Sequence, residues 1–473
     1  MTFRHLRFKN VFLRLSGLSA TVVVWMAAAS AQTFTTLANF DGVDGGNSLA
    51  TLIQGMDGSL YGTSYVGGDN GKGLVFRLTP GGALTTLHSF DGTDGANPIG
   101  GLVLGEVGSL YGTTYVGGAF GQNLNGFGVV YRIGSDRSFS VMQSFDGTDG
   151  QNPEAGMAVH LSAGRFYNNG VYFGTTRLGG VNGNGTVFSV THSGVLTKRH
   201  DFELSDGQWL IGGVTLGDDG NVYGTACTGG ANFAGTIFRV TPAGTFTKLH
   251  DFDGTDGNCS VGALARGNDG NFYGTASGGG SNNAGTVFRI SRSGTFSVLH
   301  NFDGTDGSGP GALTLGNDGN FYGAASGGGT NNDGTLFEIT PGGELTVLHN
   351  FDGTDGQNPY AGLIQHTNGK FYGVTYSGGG HGEGTLFSLN LGRPEFVSLQ
   401  TTSARVNLEV QILGQHFLDA EDVYFNGVLA GSFHIFSDSY ITTMVPAGAT
   451  SGYVTVKTSK GTFTSAQKFV VKK

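Results

Sequence analysis

The chain has few of the residues that bind nucleic acid. Its 473 residues include 25 Lys and Arg against 35 Asp and Glu, which gives a net charge of −10, and the acidic excess lies in residues 32–392. Because phosphate backbones are bound by clustered Lys and Arg, nucleic acid and anionic membrane surfaces are disfavoured as partners. Proline is scarce, with 9 residues against 88 glycines, and the glycines follow no triplet period, which excludes collagen.

Long apolar stretches are missing after residue 31, so we expect no membrane span in the mature chain. Residues 1–31 contain a basic beginning, an apolar stretch over 15–28 and small residues at 29–31. This order is typical of a cleaved signal peptide, and a retained membrane anchor is the alternative. We therefore expect export to the extracellular space, the cell surface or the periplasm.

The sequence is built from one repeat of about 50 residues that occurs seven times. Each copy carries an FDGxDG motif, an aromatic–Gly pair and a Gly-x-apolar-aromatic segment. The FDGxDG motifs begin at residues 40, 90, 145, 252, 302 and 351, with a degenerate copy, FELSDG, at 202. A fixed period of this length indicates a repeat architecture rather than several unrelated domains.

Within one repeat the pattern is that of strands and tight turns. In the fifth copy we predict strands at Gly262–Ala265, Phe272–Thr275, Thr286–Ile290 and Thr295–Phe302. An Asn-Asp-Gly turn joins the first two, and an Arg-Ser-Gly turn joins the last two. Four antiparallel strands repeated seven times predict an all-β fold, a seven-bladed β-propeller. A β-solenoid is the competing fold, and the chain-reversing turns favour the propeller.

The two ends of the repeat array complement each other. The chain after the signal peptide begins with a lone fourth strand, Thr33–Phe40, and the seventh copy lacks one. We predict that Thr33–Phe40 pairs with Thr385–Leu389 and closes the last blade, which removes two free sheet edges.

From Arg393 the repeat stops and a small immunoglobulin-like β-sandwich is predicted. Its strands are expected at Glu409–Leu413, Asp422–Phe425, Ser432–Phe436, Ile441–Val445, Gly452–Thr458 and Lys468–Val471. The predicted organisation is a signal peptide over 1–31, a propeller over 32–392 and a β-sandwich over 393–473.

The repeat, with its YGT, GG, GTVF, TP, GG, LH and FDGTDG segments in that order, resembles the Gloeobacter/Verrucomicrobia (GloVer) repeat of exported bacterial proteins. The tail resembles an IPT/TIG domain in the segments 411–417, 423–427, 445–452 and 469–471. The first resemblance implies a surface or secreted protein, and the second implies a spacer or binding module that does not catalyse.

The FDGxDG motifs offer paired carboxylates, which are expected to lie on one rim of the ring. These are Asp41, Asp44, Asp91, Asp94, Asp146, Asp149, Asp253, Asp256, Asp303, Asp306, Asp352 and Asp355, with Asp206 in the degenerate copy. Such pairs beside loop carbonyls could hold Ca²⁺. The alternative is that each Asp accepts hydrogen bonds within its own turn, a structural role suggested by its presence in every copy. No other cofactor is expected.

The histidines that recur in the fourth strand are interpreted as framework, since a catalytic group is not needed five times. Among the others, His381 with Glu383 is the best candidate for acid–base chemistry, and a solvated loop histidine is the alternative. We therefore predict no catalytic residue.

The two cysteines, Cys227 and Cys259, fall in consecutive repeats toward the same face. In an exported protein a disulfide bond between them is favoured over two free thiols, and it would stabilise the fold by about 3 kcal/mol.

Two copies have longer loops, at Gly117–Gly128 and Ala163–Gly170, which reflect either recognition or neutral variation in length. We expect a non-catalytic binding, adhesion or scaffold protein that takes a carbohydrate or protein ligand on the face of the FDGxDG loops. A propeller-type lyase or hydrolase and a purely structural envelope component are the alternatives.

Overall fold

The computed structural model describes residues 32–120, 126–161 and 170–472. The predicted signal peptide, residues 121–125 of one long loop and residues 162–169 of the other lie outside the described residues. The described part is all-β, with two short 3-10 helices at Glu106–Gly108 and Phe417–Asp419.

The repeats form seven antiparallel sheets that share one layout, which we number 1 to 7 along the chain. Each has a short first strand and three longer strands, paired in sequence order except in sheet 7, whose fourth strand comes from the N-terminal end of the propeller repeats. Sheet 1 contains Ile53–Gln54, Leu60–Ser64, Leu74–Leu78 and Leu84–Ser89. Sheet 2 contains Val103–Leu104, Leu110–Thr114, Val129–Ile133 and Phe139–Ser144. Sheet 3 contains Ala158–Leu161, Gly170–Thr176, Thr186–Thr191 and Leu196–Asp201.

The remaining sheets follow the same order. Sheet 4 contains Thr215–Leu216, Val222–Ala226, Thr236–Val240 and Phe246–Asp251. Sheet 5 contains Ala265–Arg266, Phe272–Ala276, Thr286–Ile290 and Phe296–Asn301. Sheet 6 contains Thr314–Leu315, Phe321–Gly327, Thr335–Ile339 and Leu345–Asn350, with a fifth short strand at Ser308–Pro310. Sheet 7 contains Ile364–Gln365, Phe371–Val374, Thr385–Asn390 and the N-terminal strand Thr33–Asn39.

The predicted closure by the N-terminal strand is confirmed. Thr33 lies opposite Asn390 and Asn39 lies opposite Thr385 in an antiparallel pairing. The strand therefore occupies the position that the fourth strand holds in the other six sheets.

The hydrophobic clusters lie between sheets, because the second and third strands are buried on both faces. Each of seven clusters joins two consecutive sheets, and the cluster that contains Phe40, Phe76 and Leu386 joins sheet 7 to sheet 1. Because these contacts form a closed series, every short four-stranded sheet packs against two neighbours and buries enough apolar surface to be stable.

The predicted position of the first strand was wrong. In sheet 5 it comprises Ala265–Arg266, and Gly262–Leu264 is not a strand. A Cβ atom on Gly262 would lie 2.6 Å from the Cα atom of Ala312 in the next repeat. The segment before the strand therefore runs against the equivalent segment of the next repeat, and a side chain on Gly262 would have to displace the backbone of Ala312.

Residues 398–472 form two further four-stranded sheets around their own core. One contains Ser398–Leu399, Glu409–Leu413, Tyr440–Met444 and Phe433–Ser437, and the other contains Val428–Leu429, Ala420–Phe425, Val454–Thr458 and Gly461–Thr464. Ser403–Arg405 pairs in parallel with Val470–Lys472. The core includes Ile412, Phe417, Val423, Ile441 and Val456.

This C-terminal part packs against the turns that join the first and second strands of the repeats. Arg393 forms ion pairs with Asp318 at 2.8 Å and Glu338 at 3.1 Å. The hydroxyl groups of Ser437 and Ser439 donate to the carbonyl of Met56 at 2.6 and 2.7 Å. These contacts cover the end of the ring opposite to the FDGxDG loops.

Candidate functional site

The first Asp of each FDGxDG motif caps its own turn. The Oδ1 atom of Asp253 accepts hydrogen bonds from the Thr255 amide at 2.8 Å, the Thr255 hydroxyl at 2.7 Å and the Asp256 amide at 3.1 Å. These bonds stabilise the carboxylate and lower its pKa, and in Asp91 the same set of bonds lowers the pKa to about 2.

The second Asp of the motif pairs with a fourth-strand histidine. The Nε2 atom of His250 lies 2.7 Å from the Oδ2 atom of Asp256. The same pair occurs as His88–Asp94, His200–Asp206, His300–Asp306 and His349–Asp355. The spacing of six residues is visible in the sequence, but sequence reasoning did not connect the histidine with the Asp.

Two copies lack this histidine. Gln143 stands six residues before Asp149, and Ala38 stands six residues before Asp44. Burial raises the pKa of Asp149 to about 6 and also raises the pKa of Asp44. In the other five copies the histidine therefore supplies a hydrogen-bond partner that Asp44 and Asp149 do not have at that position.

The carboxylates of the rim are thus engaged within the protein. Within residues 32–120, 126–161 and 170–472, no group of three or more His, Cys, Asp or Glu side chains has an arrangement that could hold a metal ion. The geometry favours the turn-capping role, and calcium binding stays a prediction.

His381 is exposed. The backbone carbonyl of Glu383 accepts a hydrogen bond from the amide of Asn47 at 2.9 Å. Neither side chain lines the cavity described below. Their acid–base role stays a prediction.

The two cysteine sulfurs lie 1.99 Å apart, and the Cα atoms of Cys227 and Cys259 are 3.7 Å apart. Cys259 occupies the position of Asn97, Asn152 and Asn358 in other repeats, with a left-handed φ of 55°. The side chains of those asparagines donate to a carbonyl of the preceding repeat, as Asn97 does to Tyr65 at 2.9 Å. The disulfide bond links neighbouring repeats at the place where other copies use a hydrogen bond.

A central cavity of about 670 Å³ is lined by the segments that lead into the first strands of all seven sheets. Its wall consists largely of glycine, alanine and aliphatic residues. The Thr hydroxyl of the aromatic-Gly-Thr segment ties these inner segments together, as Thr275 does by donating to the carbonyl of Gly311 at 2.7 Å.

The cavity opens toward the FDGxDG loops. Ser277, Ser326, Glu154 and Tyr360 lie at this end, whereas Phe396, Leu399 and Leu413 of the C-terminal part line a second cavity beneath the inner strands. We call the open end the mouth and define it by the residue three positions after the glycine of each aromatic–Gly pair. These residues are Tyr65, Tyr115, Arg177, Cys227, Ser277, Ser326 and Tyr376. Ser277 and Ser326 line the cavity itself, and the other five hold the equivalent positions on the remaining sheets.

The mouth is divided into two sectors. Tyr376, Tyr65 and Tyr115 follow one another on sheets 7, 1 and 2, and Arg177 continues the row on sheet 3. Sheets 4, 5 and 6 carry the disulfide-bonded Cys227 and two serines instead. We call the first the aromatic sector and the second the small sector.

Large side chains from the neighbouring inner segments complete the aromatic sector. The rings of Tyr360 and Tyr376 meet edge to face with centroids 5.6 Å apart. Arg177 donates to Glu154 at 2.7 Å and lies over the ring of Trp209 at 5.1 Å. Sequence reasoning missed this site, although the departure of Tyr65, Tyr115 and Tyr376 from serine could have been found by aligning the seven copies.

The sequence matches the Gloeobacter/Verrucomicrobia repeat family over residues 16–169, 159–317 and 292–409. The chain belongs to this family. The resemblance recognised in the sequence is thereby confirmed for the repeat, and the fold of this GloVer-repeat protein is all-β and propeller-like. No curated protein matches it.

Solved structures are similar to this chain at low identity, and the first of those that follow shares the fold. A streptogramin B lyase has 14% identity and a TM-score of 0.50, and the match covers 76% of this chain and 97% of that one. A gluconolactonase from Xanthomonas campestris has 12% identity and a TM-score of 0.39, covering 76% and 90%. A fungal alcohol oxidase of the AA5 family, in complex with copper, has 13% identity and a TM-score of 0.44, covering 93% and 99%. These similarities concern the fold and not the activity.

No helix among the described residues is long and apolar enough to cross a membrane.

Proposed function

We propose that this GloVer-repeat protein is an exported, non-catalytic binding protein whose ligand docks at the mouth of the central cavity. In this proposal residues 1–31 are removed on export, and the protein acts at the cell surface, in the extracellular space or in the periplasm. Residues 32–392 form a seven-bladed β-propeller, and residues 393–473 form an IPT/TIG-like β-sandwich.

The observation that carries the proposal is the break in the repeat at the mouth. Elsewhere most copies keep the same residue type for the same structural task, as the His–Asp pairs do in five of the seven. At the mouth the copies differ in size, charge and polarity, although the surrounding backbone is the same. Partly exposed Tyr, Trp and Arg side chains beside a cavity are the composition of a binding site.

The ionisable groups of the mouth support binding over catalysis. Glu154 is the one carboxylate among the residues that line the cavity, and it forms an ion pair with Arg177. Burial raises the pKa of Glu154, but the described residues that line the cavity include no second carboxylate, histidine or lysine as its partner. The lyase or hydrolase alternative would need such a partner.

The C-terminal part covers one end of the ring, which leaves the mouth as the way in for a ligand. It packs on the end of the ring opposite to the mouth, where Thr367 donates to the carbonyl of Gly414 at 3.1 Å and Gln415 donates to Thr367 at 2.7 Å. A ligand therefore reaches the central cavity through the mouth, and the C-terminal part acts as a base or spacer.

The proposal is tested by screening the chain from residue 32 onward against arrays of glycans and proteins. A bulky Ser277→Trp substitution narrows the mouth, and Ser293→Trp places the same side chain in an exposed turn at the other end of sheet 5. We expect Ser277→Trp to abolish binding of the captured ligand and Ser293→Trp to leave it intact.

Loss of binding in Ser293→Trp alone would contradict a site at the mouth. Incubation of the captured ligand with the protein, followed by mass spectrometry, separates binding from catalysis, since a lyase or hydrolase would release fragments.

A further inference from the structure

The aromatic sector has the chemistry of a sugar-binding surface, and this inference rests on the proposed function of the mouth. Tyr376, Tyr65 and Tyr115 occur on three consecutive sheets, and each is partly exposed. Tyr360, which is 47% exposed, and Trp209, which is 38% exposed, lie on either side of this row. An exposed row of this kind is not explained by packing, because Ser277 and Ser326 occupy the same position in sheets 5 and 6.

The row lies at equivalent positions on consecutive sheets, and its two ends contact neighbouring large side chains. Tyr360 contacts Tyr376, and Arg177 bridges Glu154 and Trp209. The pKa of Tyr65 is raised by burial and further by the nearby Tyr115, Tyr376 and Glu154. These groups therefore surround one part of the mouth instead of acting as separate surface residues.

Side-chain hydrogen bonds hold the main chain that carries these tyrosines. The amide side chains of Asn47, Asn97 and Asn152 donate to the carbonyls of Tyr376, Tyr65 and Tyr115 at 2.9 to 3.0 Å. The asparagines have left-handed φ angles of 51° to 55°, a conformation that asparagine tolerates better than most residues. A preformed surface loses little conformational entropy on binding.

The charge of the site disfavours anionic ligands, and the cavity offers a cationic ligand no unpaired carboxylate. The single carboxylate in the cavity is neutralised by Arg177, and the acidic rim outside the mouth repels polyanions. A cationic ligand would find no unpaired carboxylate among the residues that line the cavity. The aromatic sector offers aromatic rings and phenol hydroxyls, and the cavity wall beside it offers serine hydroxyls, backbone and aliphatic side chains.

A neutral sugar chain matches this surface. The C–H face of a pyranose ring packs on an aromatic ring, and its hydroxyl groups exchange hydrogen bonds with Tyr, Arg and Glu. The small sector leaves the space beside the rings open, and the cavity volume of about 670 Å³ lies within the range of small-ligand pockets.

We propose that the aromatic sector formed by Tyr376, Tyr65 and Tyr115, with the Arg177–Glu154 pair beside it, binds a neutral oligosaccharide or polysaccharide chain by stacking.

The repeat itself supplies the test variants. Tyr65→Ser, Tyr115→Ser and Tyr376→Ser install the residue that sheets 5 and 6 already carry, so folding is expected to be retained. Phe233→Asn is the matched control, because it removes an aromatic side chain that is 66% exposed and installs the residue present as Asn283 and Asn332. Melting temperatures of all variants verify that they fold.

Binding is measured by isothermal titration calorimetry with laminarihexaose, cellohexaose, maltohexaose and mannohexaose as neutral probes. Hexagalacturonate is the anionic probe, and hexalysine is the cationic probe. We expect at least one neutral hexasaccharide to bind, and the triple Tyr→Ser variant to bind it about tenfold or more weakly. We expect the Phe233→Asn variant to bind like the unchanged protein.

Each other outcome overturns the inference. Binding of hexagalacturonate or hexalysine in preference to the neutral probes removes the argument from charge. Unchanged affinity in the triple variant removes the stacking role. If no hexasaccharide binds but a protein ligand is lost in Ser277→Trp, the sugar inference fails and the proposed function of the mouth stands.

Discussion

The rings of Phe34 and His349, which lie at opposite ends of the repeat array, stack in parallel with centroids 3.9 Å apart and an angle of 3° between their planes. The same stacking joins His88 to Phe139 and His250 to Phe296, each time from one sheet to the next. Phe34 thus supplies to sheet 6 the ring that an ordinary fourth strand supplies elsewhere. Closure involves side chains as well as the backbone pairing with Thr385–Asn390.

Replacing Phe34 by alanine is expected to weaken closure. Phe34 is half-buried against His349, Phe351 and Phe387, so its removal should lower the free energy of unfolding by about 2 kcal/mol. Urea denaturation followed by fluorescence measures the change. Thr35→Ala on the exposed side of the same strand is the control, and an equal effect of both substitutions would contradict the role of stacking.

The strands were predictable from the sequence because tight turns and alternating residues mark them locally. The third strand of sheet 5, Thr286–Ile290, and the tail strand Glu409–Leu413 have the predicted bounds. The first strand was displaced because contact between repeats, seen at Gly262, limits regular pairing there. A single repeat does not show that restriction.

The face of the FDGxDG loops was predicted as the binding face, but the residues of the mouth could not be identified by the same reasoning. Residues that recur in most copies, such as Asp253 and His250, belong to the framework. The candidate binding site at the mouth consists of residues that differ between copies. Which of the varying positions meet in space depends on how the seven sheets are arranged. Glu154 and Arg177 are 23 residues apart in the chain and come together only because the inner segment of one repeat lies beside its own second strand.

Giving sheet 2 its missing histidine is expected to stabilise the protein. Gln143→His places a ring nitrogen six residues before Asp149, the spacing at which five other repeats form a hydrogen bond. The gain should be about 1 kcal/mol, the usual net value of one hydrogen bond. Differential scanning calorimetry at pH 6 measures it. Ser140→His, on the exposed part of the same strand, should give no gain, and equal gains would argue against a specific pair.

Asp149 should make stability depend on pH in the direction opposite to an ordinary paired carboxylate. Burial raises its pKa in the folded state to about 6, above the value of about 4 in an unfolded chain. The folded state therefore holds this proton more tightly, and stability falls as the pH rises from about 4 to 6. As the pH rises across this interval, the free energy of unfolding of Asp149→Asn should increase relative to that of the unchanged protein.

Asp136 provides the comparison for the pH effect of Asp149. Asp136 has a lowered pKa because Ser138 donates to it, so its contribution is present above the unfolded pKa and is lost as the pH falls. Urea titrations of Asp149→Asn and Asp136→Asn between pH 3 and pH 7 should show opposite trends. Parallel trends would contradict the assignment for Asp149.

The rim carboxylates are expected to act on stability. Asp253→Ala removes the acceptor of three hydrogen bonds and should cost about 1 to 2 kcal/mol, whereas Asp253→Asn keeps an oxygen and should cost less. Thermal unfolding is measured with and without a calcium chelator. A melting temperature that the chelator leaves unchanged fits a self-supporting turn, and a drop would support calcium binding by the rim.

The disulfide bond should be replaceable in part by the residues that other repeats use. Removing it in Cys227→Ser/Cys259→Ser opens a loop of 32 residues and should lower the free energy of unfolding by about 3 to 4 kcal/mol. Cys227→Ser/Cys259→Asn installs the serine of Ser277 and the asparagine of Asn97, which can donate to the carbonyl of residue 227. This pair should recover about 1 kcal/mol, because one hydrogen bond between repeats is restored. Urea denaturation of both double variants beside the oxidised protein measures the difference, and Asn97→Ser provides the independent value of that hydrogen bond in sheet 1. If both double variants were equally stable, the asparagine and the disulfide bond would not serve the same link between neighbouring repeats.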